Sequence, residues 1–351
     1  MTDPRPDWST TTSPADLARL LRGDRSVLVL THARPDGDAL GSSLALTRAL
    51  RRRQIDARAC YIAPTPRWAA QIIADTPSTT LSHAGAAPLP LPMPEPDRFA
   101  IVDTGSWVQL EGAADWVRPR TSRTVVIDHH LSGNADMSGT RLLDHAAAAA
   151  AEIVADVCCS LLDLPNPAAL PLEIAEPLYL GIATDTGWFR FSNTRPATLR
   201  LAAALREAGV DAPRLFQLVE QQDRPARLRL YARALSSLEL HARDSIAIMS
   251  LSQKDFEDCR GDTEDTTGFA SDVLSVASIQ VGVLLTEVAG RAGKPPLTKA
   301  SLRSKPGPNA IDVAALTSAL GGGGHARAAG VKFEAPLPDA KRILLEAITR
   351  A

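Results

Sequence analysis

Residues 27–46 read VLVLTHARPDGDALGSSLAL. Val27–Thr31 is an unbroken apolar run rich in β-branched residues, the composition of a strand buried on both faces of a parallel sheet. The loop HARPDG (32–37) follows, and Asp38–Arg53 has helical periodicity. A strand, a Pro- and Gly-containing loop and a helix form the opening half of a crossover unit. Further strands are expected at Ala57–Ile62, Phe99–Val102 and Thr124–Ile127 and within Leu178–Ala183, with helical stretches between them. The expected fold class is therefore α/β, with a mostly parallel, doubly wound sheet in the N-terminal domain. Before the first strand, residues 1–16 read as a loose leader, with Ser13 or Asp16 as N-cap of a helix through Leu17–Arg22. Pro88–Pro96 has proline at every second position, which bars helix and central strand and predicts an extended surface connector.

The pattern changes in the second half. Helical segments are expected over Pro196–Ala208 and Pro213–Leu240, with Gly209 as the residue past the end of the first. Strands are expected at Ser245–Leu251, Ile279–Val288, Lys299–Arg303 and Ala329–Glu334, and helices near Phe269–Ala277, Ile311–Leu320 and Pro338–Arg350. This predicts a smaller α/β C-terminal domain. The expected division is a first domain over 1–200, a helical connector over 201–225 and a second domain over 226–351.

At 351 residues, two domains are the default, each long enough to bury its own core. A net charge of −2 argues against unselective binding to long nucleic acid, which needs many cations to replace condensed counterions. With five Trp, three Tyr and seven Phe, an extended stacking platform for a long single strand is not expected. The cysteines Cys60, Cys158, Cys159 and Cys259 show neither zinc spacing nor a disulfide framework, and the adjacent pair lies in an apolar stretch suited to buried thiols. The polar start MTDPRPDWSTTTSPAD lacks an apolar signal region, and no apolar run is long enough to span a bilayer. These features predict a protein of a reducing, cytoplasmic compartment that does not enter the membrane.

Four places deliver metal-ligand side chains at or after apolar segments read as strands. They are His32 with Asp36 and Asp38, Asp103 in IVDTGS, Asp128-His129-His130 in VVIDHH, and Asp185 in GIATDTG. Strand ends of an open parallel sheet face one crevice. Carboxylates and imidazoles gathered there would repel one another or lie desolvated without a cation among them. Aspartates and histidines without a thiolate suit hard or borderline divalent ions such as Mn²⁺ or Mg²⁺. Taken singly, each motif is an ordinary turn, cap or surface pair; four in order, each after an apolar run, are not. His83, His145 and His241 lie in no motif and carry no assigned role.

THARPDGDALGSSLAL, VDTGS, VIDHH and GIATDTGWFRFSNT resemble the ordered motifs of the DHH phosphoesterase superfamily. SLRSK (301–305) with GGGGHARAAG (321–330) resembles its DHH-associated C-terminal domain. The resemblance runs from about residue 15 to 350 and is greatest to the subfamily of short-oligoribonucleotide nucleases (nanoRNases) and phosphoadenosine-phosphate phosphatases. It implies that His32 and Asp36 bind one metal, that Asp38, His129 and Asp185 bind the other, and that Asp103 bridges both. Asp128 would orient an imidazole, and His130 would face the substrate phosphate as acid or clamp, so that Asp103, Asp128 and His130 form the catalytic set. Two divalent cations are implied, Mn²⁺ first, with Mg²⁺ or Co²⁺ as alternatives. Two ions roughly 3.5–4 Å apart can activate a water and steady the attacking and leaving oxygens.

In the C-terminal domain, Arg303 would grip phosphate bidentately. Gly322, Gly323, Gly324 and His325 would let backbone N–H groups approach phosphate or ribose, with Lys305 and Arg327 adding positive charge. Four glycines in a row also read as a flexible joint. Trp188 and Phe191 lie close to Asp185 and could stack a base, though packing in the core is the expected role of both. Gln109 stands where relatives often carry Arg, HHLSGNADMSG reaches Asn134 by a longer path, and AAAAAAEIV lacks the hydroxyl residues usual before Glu152.

The implied activity is hydrolysis of very short oligoribonucleotides to mononucleotides, of 3′-phosphoadenosine 5′-phosphate to AMP, or of both. The resemblance makes residues 1–200 the metal-binding catalytic domain and 226–351 the substrate-binding one, with the active site in the interdomain cleft. The implied partners are thus short RNA or small nucleotides, and a homodimer is compatible with the resemblance. Alternatives from other groups are a manganese-dependent inorganic pyrophosphatase, a phosphodiesterase for linear or cyclic dinucleotides, a single-strand exonuclease and a non-catalytic nucleotide sensor. The glycine-histidine segment speaks against the pyrophosphatase, and the intact ligand set against the sensor.

Overall fold

The computed structural model describes residues 7–81, 93–288, 297–307 and 310–350. It divides into two units, Met1–Gln222 and Asp223–Ala351. In the first the chain runs α1 (Pro14–Arg22), β1 (Ser26–Leu30), α2 (Gly37–Arg52), β2 (Asp56–Ile62), α3 (Ala69–Ile73), β3 (Ser78–Leu81) and β4 (Arg98–Val102). It continues through α4 (Ala114–Val117), β5 (Thr124–Asp128), β6 (Thr140–Leu143), α5 (Ala150–Leu162), α6 (Leu172–Asp185), α7 (Pro196–Glu207) and α8 (Ala212–Glu220).

The strands lie in the order β3-β2-β1-β4-β5-β6, and each neighbouring pair is parallel. From β1 the chain steps outward to β2 and β3, returns to β4 beside β1 and continues the other way. The carboxyl ends of β1 and β4 thus flank the point where winding reverses, the place where open α/β sheets hold ligands. Side chains alternate across the sheet. Val27 and Val29 pack in one layer with Leu40, Leu44 and Ile182, while Leu28 and Leu30 pack in the other with Phe99, Ile101 and Trp116. The VLVL run is apolar throughout because it fills both layers.

Leu178–Ala183 is not a strand. It is the interior of α6, buried on all sides from Ile174 to Ala183 apart from Glu176. A short apolar run without alternation reads the same for a buried helix as for a buried strand. Strands β3 and β6 (STTL and TRLL) escaped the sequence reading because, as sheet edges, they are short and partly polar. The leader is not loose over its described part either. The Thr11 N–H donates to the Arg141 carbonyl at 2.7 Å and the Arg141 N–H to Thr11 Oγ1 at 2.8 Å, laying the segment along edge strand β6. Ser13 caps α1, accepting from the Asp16 N–H.

The second unit contains α9 (Pro225–Ser236), β7 (Glu239–His241), β8 (Ile246–Leu251), α10 (Gln253–Cys259), α11 (Phe269–Asp272) and β9 (Val281–Val288). After these come β10 (Leu297–Ser304), α12 (Val313–Ser318), β11 (Gly323–His325), β12 (Ala328–Phe333) and α13 (Leu337–Arg350). Its sheet runs β11-β12-β10-β9-β8-β7, antiparallel except for the parallel pair β8–β9. The single helix expected over Pro213–Leu240 is two helices. Pro225 lacks an N–H and therefore opens α9 rather than continuing α8. Gly209 follows α7 with φ +102°, as expected.

Pro88–Pro92 of the proline-rich stretch, and His83, lie outside the described residues. Among the described residues no helix is long and apolar enough to cross a membrane. All four cysteines are free and buried.

Candidate metal centre

Each ligand-bearing segment is placed by a local feature of the chain. Past β1, the Asp36 carboxylate caps α2, accepting from the N–H groups of Asp38 and Ala39 at 3.1 Å each. Asp38 therefore sits in the first turn of α2, 1% exposed. Its two oxygens accept from the N–H groups of Ala150 (2.6 Å) and Ala151 (2.9 Å), which open α5. The N-cap of α5, Ala149, makes no side-chain cap bond. Asp38 does the capping from another helix, so the N–H groups that a hydroxyl N-cap would meet are satisfied without one in AAAAAAEIV.

Close approach of α2 and α6 brings Asp185 to the same place. A Cβ on Gly41 would lie 2.2 Å from the Pro177 carbonyl, and one on Gly181 would lie 2.8 Å from Asp38 Oδ1 and from Ala151 Cβ. Overpacking of that kind costs about 1–3 kcal/mol. We expect Gly181→Ala to lower the melting temperature and to weaken metal binding together, read by a thermal melt and a Mn²⁺ titration. A variant with both values unchanged would mean that helix contact does not set the place of Asp38.

Asp103 follows β4 with φ +60°, a left-handed conformation that costs a non-glycine residue about 1–2 kcal/mol. Its N–H donates to the Ile127 carbonyl at 2.9 Å. The carboxylate, on a residue 3% exposed, reaches His32 Nε2 with one oxygen and His129 Nε2 with the other, at 3.5 Å each. His32 Nε2 is also 3.8 Å from Asp36 Oδ1. His129 Nε2 lies 3.7 Å from Asp185 Oδ2 and 4.0 Å from Asp38 Oδ2. Two donor sets result, His32/Asp36/Asp103 and Asp38/His129/Asp185, each with its ligand atoms within 4.8 Å of one another.

A third such set, Asp103/His129/His130, meets the same distance limit. It is a poorer ligand set, because His130 Nδ1 is engaged by Asp128 Oδ1 at 2.7 Å. That oxygen also accepts from the backbone N–H of His129 at 2.8 Å, and Asp128 Oδ2 is buried without a partner among the described residues. A carboxylate on Nδ1 places the imidazole proton there, so Nε2 of the half-exposed His130 ring is the nitrogen that can meet a ligand.

The electrostatics of the cluster favour positive charge within it. Burial pushes Asp38 well above the carboxylate range, with Asp103 and Asp185 adding to the effect, and burial pushes Asp185 up to about 6. Burial alone would lower the imidazoles. Asp103 and Asp36 outweigh it at His32, pushing it up to about 11, and Asp103 and Asp38 outweigh it at His129, pushing it up to about 10. Asp103 is held low by His129 and His32 against the effect of burial. The bond to Asp128 raises His130. Protons here do the work of cations. An all-oxygen and imidazole donor set fits a hard or borderline divalent ion, which would displace them.

Neighbouring loops support the candidate ligands. Asn134 ties the two motif loops together: its N–H donates to the Gly105 carbonyl at 2.7 Å and its Oδ1 accepts from the Trp107 N–H at 3.1 Å. Gln109 is bonded to Thr104 through its side chain and to the Ala33 N–H through its carbonyl. Asn193, in the SNT of the fourth motif, donates to the Asp185 and Ala148 carbonyls at 3.2 Å each. Sequence reading gave it no role, although the motif already contained it. Phe191 is not a core residue. The residue is 56% exposed with its ring against Gly187, whereas Trp188 packs on Phe216 and donates to Glu220.

In the second unit, Arg303 lines a small polar cavity of about 160 Å³ with Thr263, Thr267, Ser271, Lys299 and Ser301. Strand register pairs Arg303 with Ala328 and Ala328 with His325, so Arg303 and His325 stand in one cross-strand row on one face. The glycine run is a helix end and a strand rather than a joint. Gly321 ends α12 with φ +81°, and a Cβ on Gly322 or Gly324 would lie 2.3 or 2.5 Å from a backbone oxygen of β12. Gly323, between them, faces open space. Lys305 and Arg327 are spent on backbone carbonyls, of Ala277 and Ile311 among others.

Residues 26–182 match the family model described as DHH family, N-terminal domain. The chain is 31% identical over 346 residues to the bifunctional oligoribonuclease and PAP phosphatase NrnA of Thermus thermophilus, covering 97% of this chain and 94% of that protein. To the Bacillus subtilis protein of the same name it is 25% identical over 334 residues, covering 94% and 96%. Among solved structures, an exopolyphosphatase-related protein from Bacteroides fragilis superposes with a TM-score of 0.81 at 21% identity over 96% of both chains. Exonuclease RecJ bound to manganese superposes with a TM-score of 0.56 at 18% identity over 97% of this chain and 95% of that one. These two likenesses speak for the fold. With the Thermus protein matched over almost its whole length and the family model over β1 to α6, the chain belongs to the DHH family of phosphoesterases.

Proposed function

We propose that this protein is a two-metal phosphoesterase that hydrolyses very short oligoribonucleotides to mononucleotides and 3′-phosphoadenosine 5′-phosphate to AMP, with Mn²⁺ as its working ion. The observation that carries the reading is Asp103, whose two oxygens point at His32 and His129, each the centre of its own donor set. His32 and Asp36 would hold one ion, Asp38, His129 and Asp185 the other, and Asp103 both. The ions would supply an acidified water and neutralise charge on the phosphate.

The remaining chemistry falls to the chain. Hydrolysis joins a water oxygen to phosphorus and breaks the bond to the ribose oxygen, which leaves with a proton. His130, protonated and held through Nδ1 by Asp128, offers an Nε2–H to a phosphate oxygen or to that leaving oxygen. Phe191 offers an exposed ring on which a base can stack. Arg303, with Lys299 and the hydroxyls around it, suits a further phosphate, and His325 with the open Gly323 suits the adjoining sugar. The names of the Thermus and Bacillus relatives agree with this substrate class.

The test is phosphate and mononucleotide release with Mn²⁺ from pApA, 3′-phosphoadenosine 5′-phosphate, inorganic pyrophosphate and a twenty-nucleotide RNA, run side by side. The first two should be hydrolysed much faster than the others. A preference for pyrophosphate or for the long strand would overturn the proposal. Arg303→Ala should raise KM for pApA by about ten-fold or more with a smaller change in kcat, as expected when a ground-state phosphate contact is lost. An unchanged KM would remove Arg303 from the binding set.

A further inference from the structure

Trp8 lies in the leader, a segment that neither the motifs nor the ligand set draws in. Its indole touches both loops that carry the central ligands. A Cβ on Gly105, two residues past Asp103, would lie 2.1 Å from Trp8 Cη2. One on Gly133, in the loop after His129 and His130, would lie 2.5 Å from Cζ2. Both loops need glycine where the indole presses on them. The third contact is polar: Trp8 Nε1–H donates to the His130 carbonyl at 3.1 Å.

The indole is itself held in place. The Arg141 side chain, on a residue only 8% exposed, donates to the Ser9 carbonyl at 3.2 Å and to the Asp7 carbonyl at 3.4 Å, one on each side of Trp8. The same guanidinium donates to the Ala135 carbonyl at 3.0 Å, in the continuation of the His130 loop. Thr10 and Thr11 add bonds to Leu143 and Arg141 of β6. A buried arginine therefore fixes the leader and the DHH loop to one point, and the indole fills the angle between that loop and the Asp103 loop.

From this geometry we propose that Trp8 is a positioning residue of the metal centre: it sets the separation of the Asp103 loop from the His129–His130 loop and, through the His130 carbonyl, the aim of His130. The proposal rests on the function assigned above to those three residues. A catalytic centre tolerates misplacement poorly, so the contact should register in turnover before it registers in stability.

The test compares the wild type with Trp8→Phe, which keeps a ring against the glycines but loses the N–H, and with Trp8→Ala, which removes both. The readouts are kcat and KM on pApA, the midpoint of a Mn²⁺ titration, the melting temperature, and the change in tryptophan fluorescence on adding Mn²⁺. For Trp8→Phe we expect kcat about ten-fold lower, KM within about two-fold and a nearly unchanged melting temperature. Trp8→Ala should lose more turnover and shift the Mn²⁺ midpoint. The Trp8 share of the fluorescence response, read as the difference between the wild type and each variant, should be a measurable part of the whole, with the remainder coming from the other four tryptophans.

Either of two results would overturn the proposal. One is wild-type kcat and Mn²⁺ midpoint in Trp8→Ala. The other is a fall in kcat that matches the fraction unfolded in both variants, which would make Trp8 a packing residue only. A wild type that hydrolyses none of the nucleotides would instead bring down the functional assignment. The Mn²⁺ titration and the fluorescence response would still report on Trp8 in that case.

Discussion

Asp103→Ala should lower kcat by a factor of about 10⁴ or more, equivalent to roughly 5.5 kcal/mol of barrier, while the protein still folds. Asp103 is the only one of the proposed ligands whose oxygens reach into both donor sets, toward His32 and toward His129. Its removal would take a ligand from each proposed ion at once and leave two largely buried imidazoles facing a gap. Stability should respond far less. Losing the carboxylate removes a negative charge beside buried Asp38, while the φ of +60° remains strained for alanine.

Asp103→Gly separates the two effects. Glycine adopts that conformation freely, so this variant should melt above Asp103→Ala and be just as inactive. Asp103→Asn keeps the shape, gives up the charge and should also fall well below the wild type. Turnover on pApA and a thermal melt of the three variants decide the matter. Near-normal kcat in Asp103→Ala would mean that the bridging position belongs to another residue.

What the sequence made legible follows from periodicity and its limits. β1, β4 and β5 were readable because strands buried on both faces read as near-continuous apolar runs, and β2 because only Arg58 interrupts its apolar run. α6 was misread for the same reason: its whole circumference is buried, so the run around Leu178–Ala183 loses the amphipathic signal that separates helix from strand. The candidate ligand set does not hang on that error, because the order of the motifs along the chain does not depend on the element that carries them. Asp185 arrives from the end of a helix, yet it reaches His129 as a strand-borne aspartate would.

Illegible contacts were those between segments distant in sequence. Asp38 capping α5, some 110 residues away, turns an uninformative alanine run into part of the site, and no local pattern announces it. Trp8 was read as part of a polar leader because a lone aromatic among threonines and aspartates carries no period. The glycine run at 321–324 was read through a resemblance to phosphate-cradling loops. The packing of Gly322 and Gly324 against β12 explains two of those glycines without a ligand, while Gly323 between them keeps open space.

Removing the divalent ions should abolish activity, and Mn²⁺ should restore it where Ca²⁺ does not. Asp38 and Asp103 are 1% and 3% exposed, and Asp185 shares their space. So many carboxylates cannot stay ionised together away from water unless cations lie among them. Without metal the cluster holds protons on His32 and His129, which do not activate a water for attack. The small donor sets, three residues each with Asp103 near both, suit an ion of modest radius. Ca²⁺, which takes six to eight oxygens at about 2.3–2.6 Å, fits such a bridged arrangement poorly.

The same argument predicts a shift in stability. An ion that binds only the folded protein at about 100 times its dissociation constant adds roughly 2.7 kcal/mol, or about 5–10 °C in melting temperature for a unit of this size. The experiment is exhaustive chelation followed by measured return of Mn²⁺, Mg²⁺, Co²⁺ or Ca²⁺, with activity on pApA and a thermal melt at each step. Asp38→Asn serves as a control: it should be inactive and show a smaller Mn²⁺-induced rise in melting temperature, because one donor set has lost its buried charge. Full activity after exhaustive chelation, or a melting temperature indifferent to Mn²⁺ in the wild type, would exclude the two-metal centre.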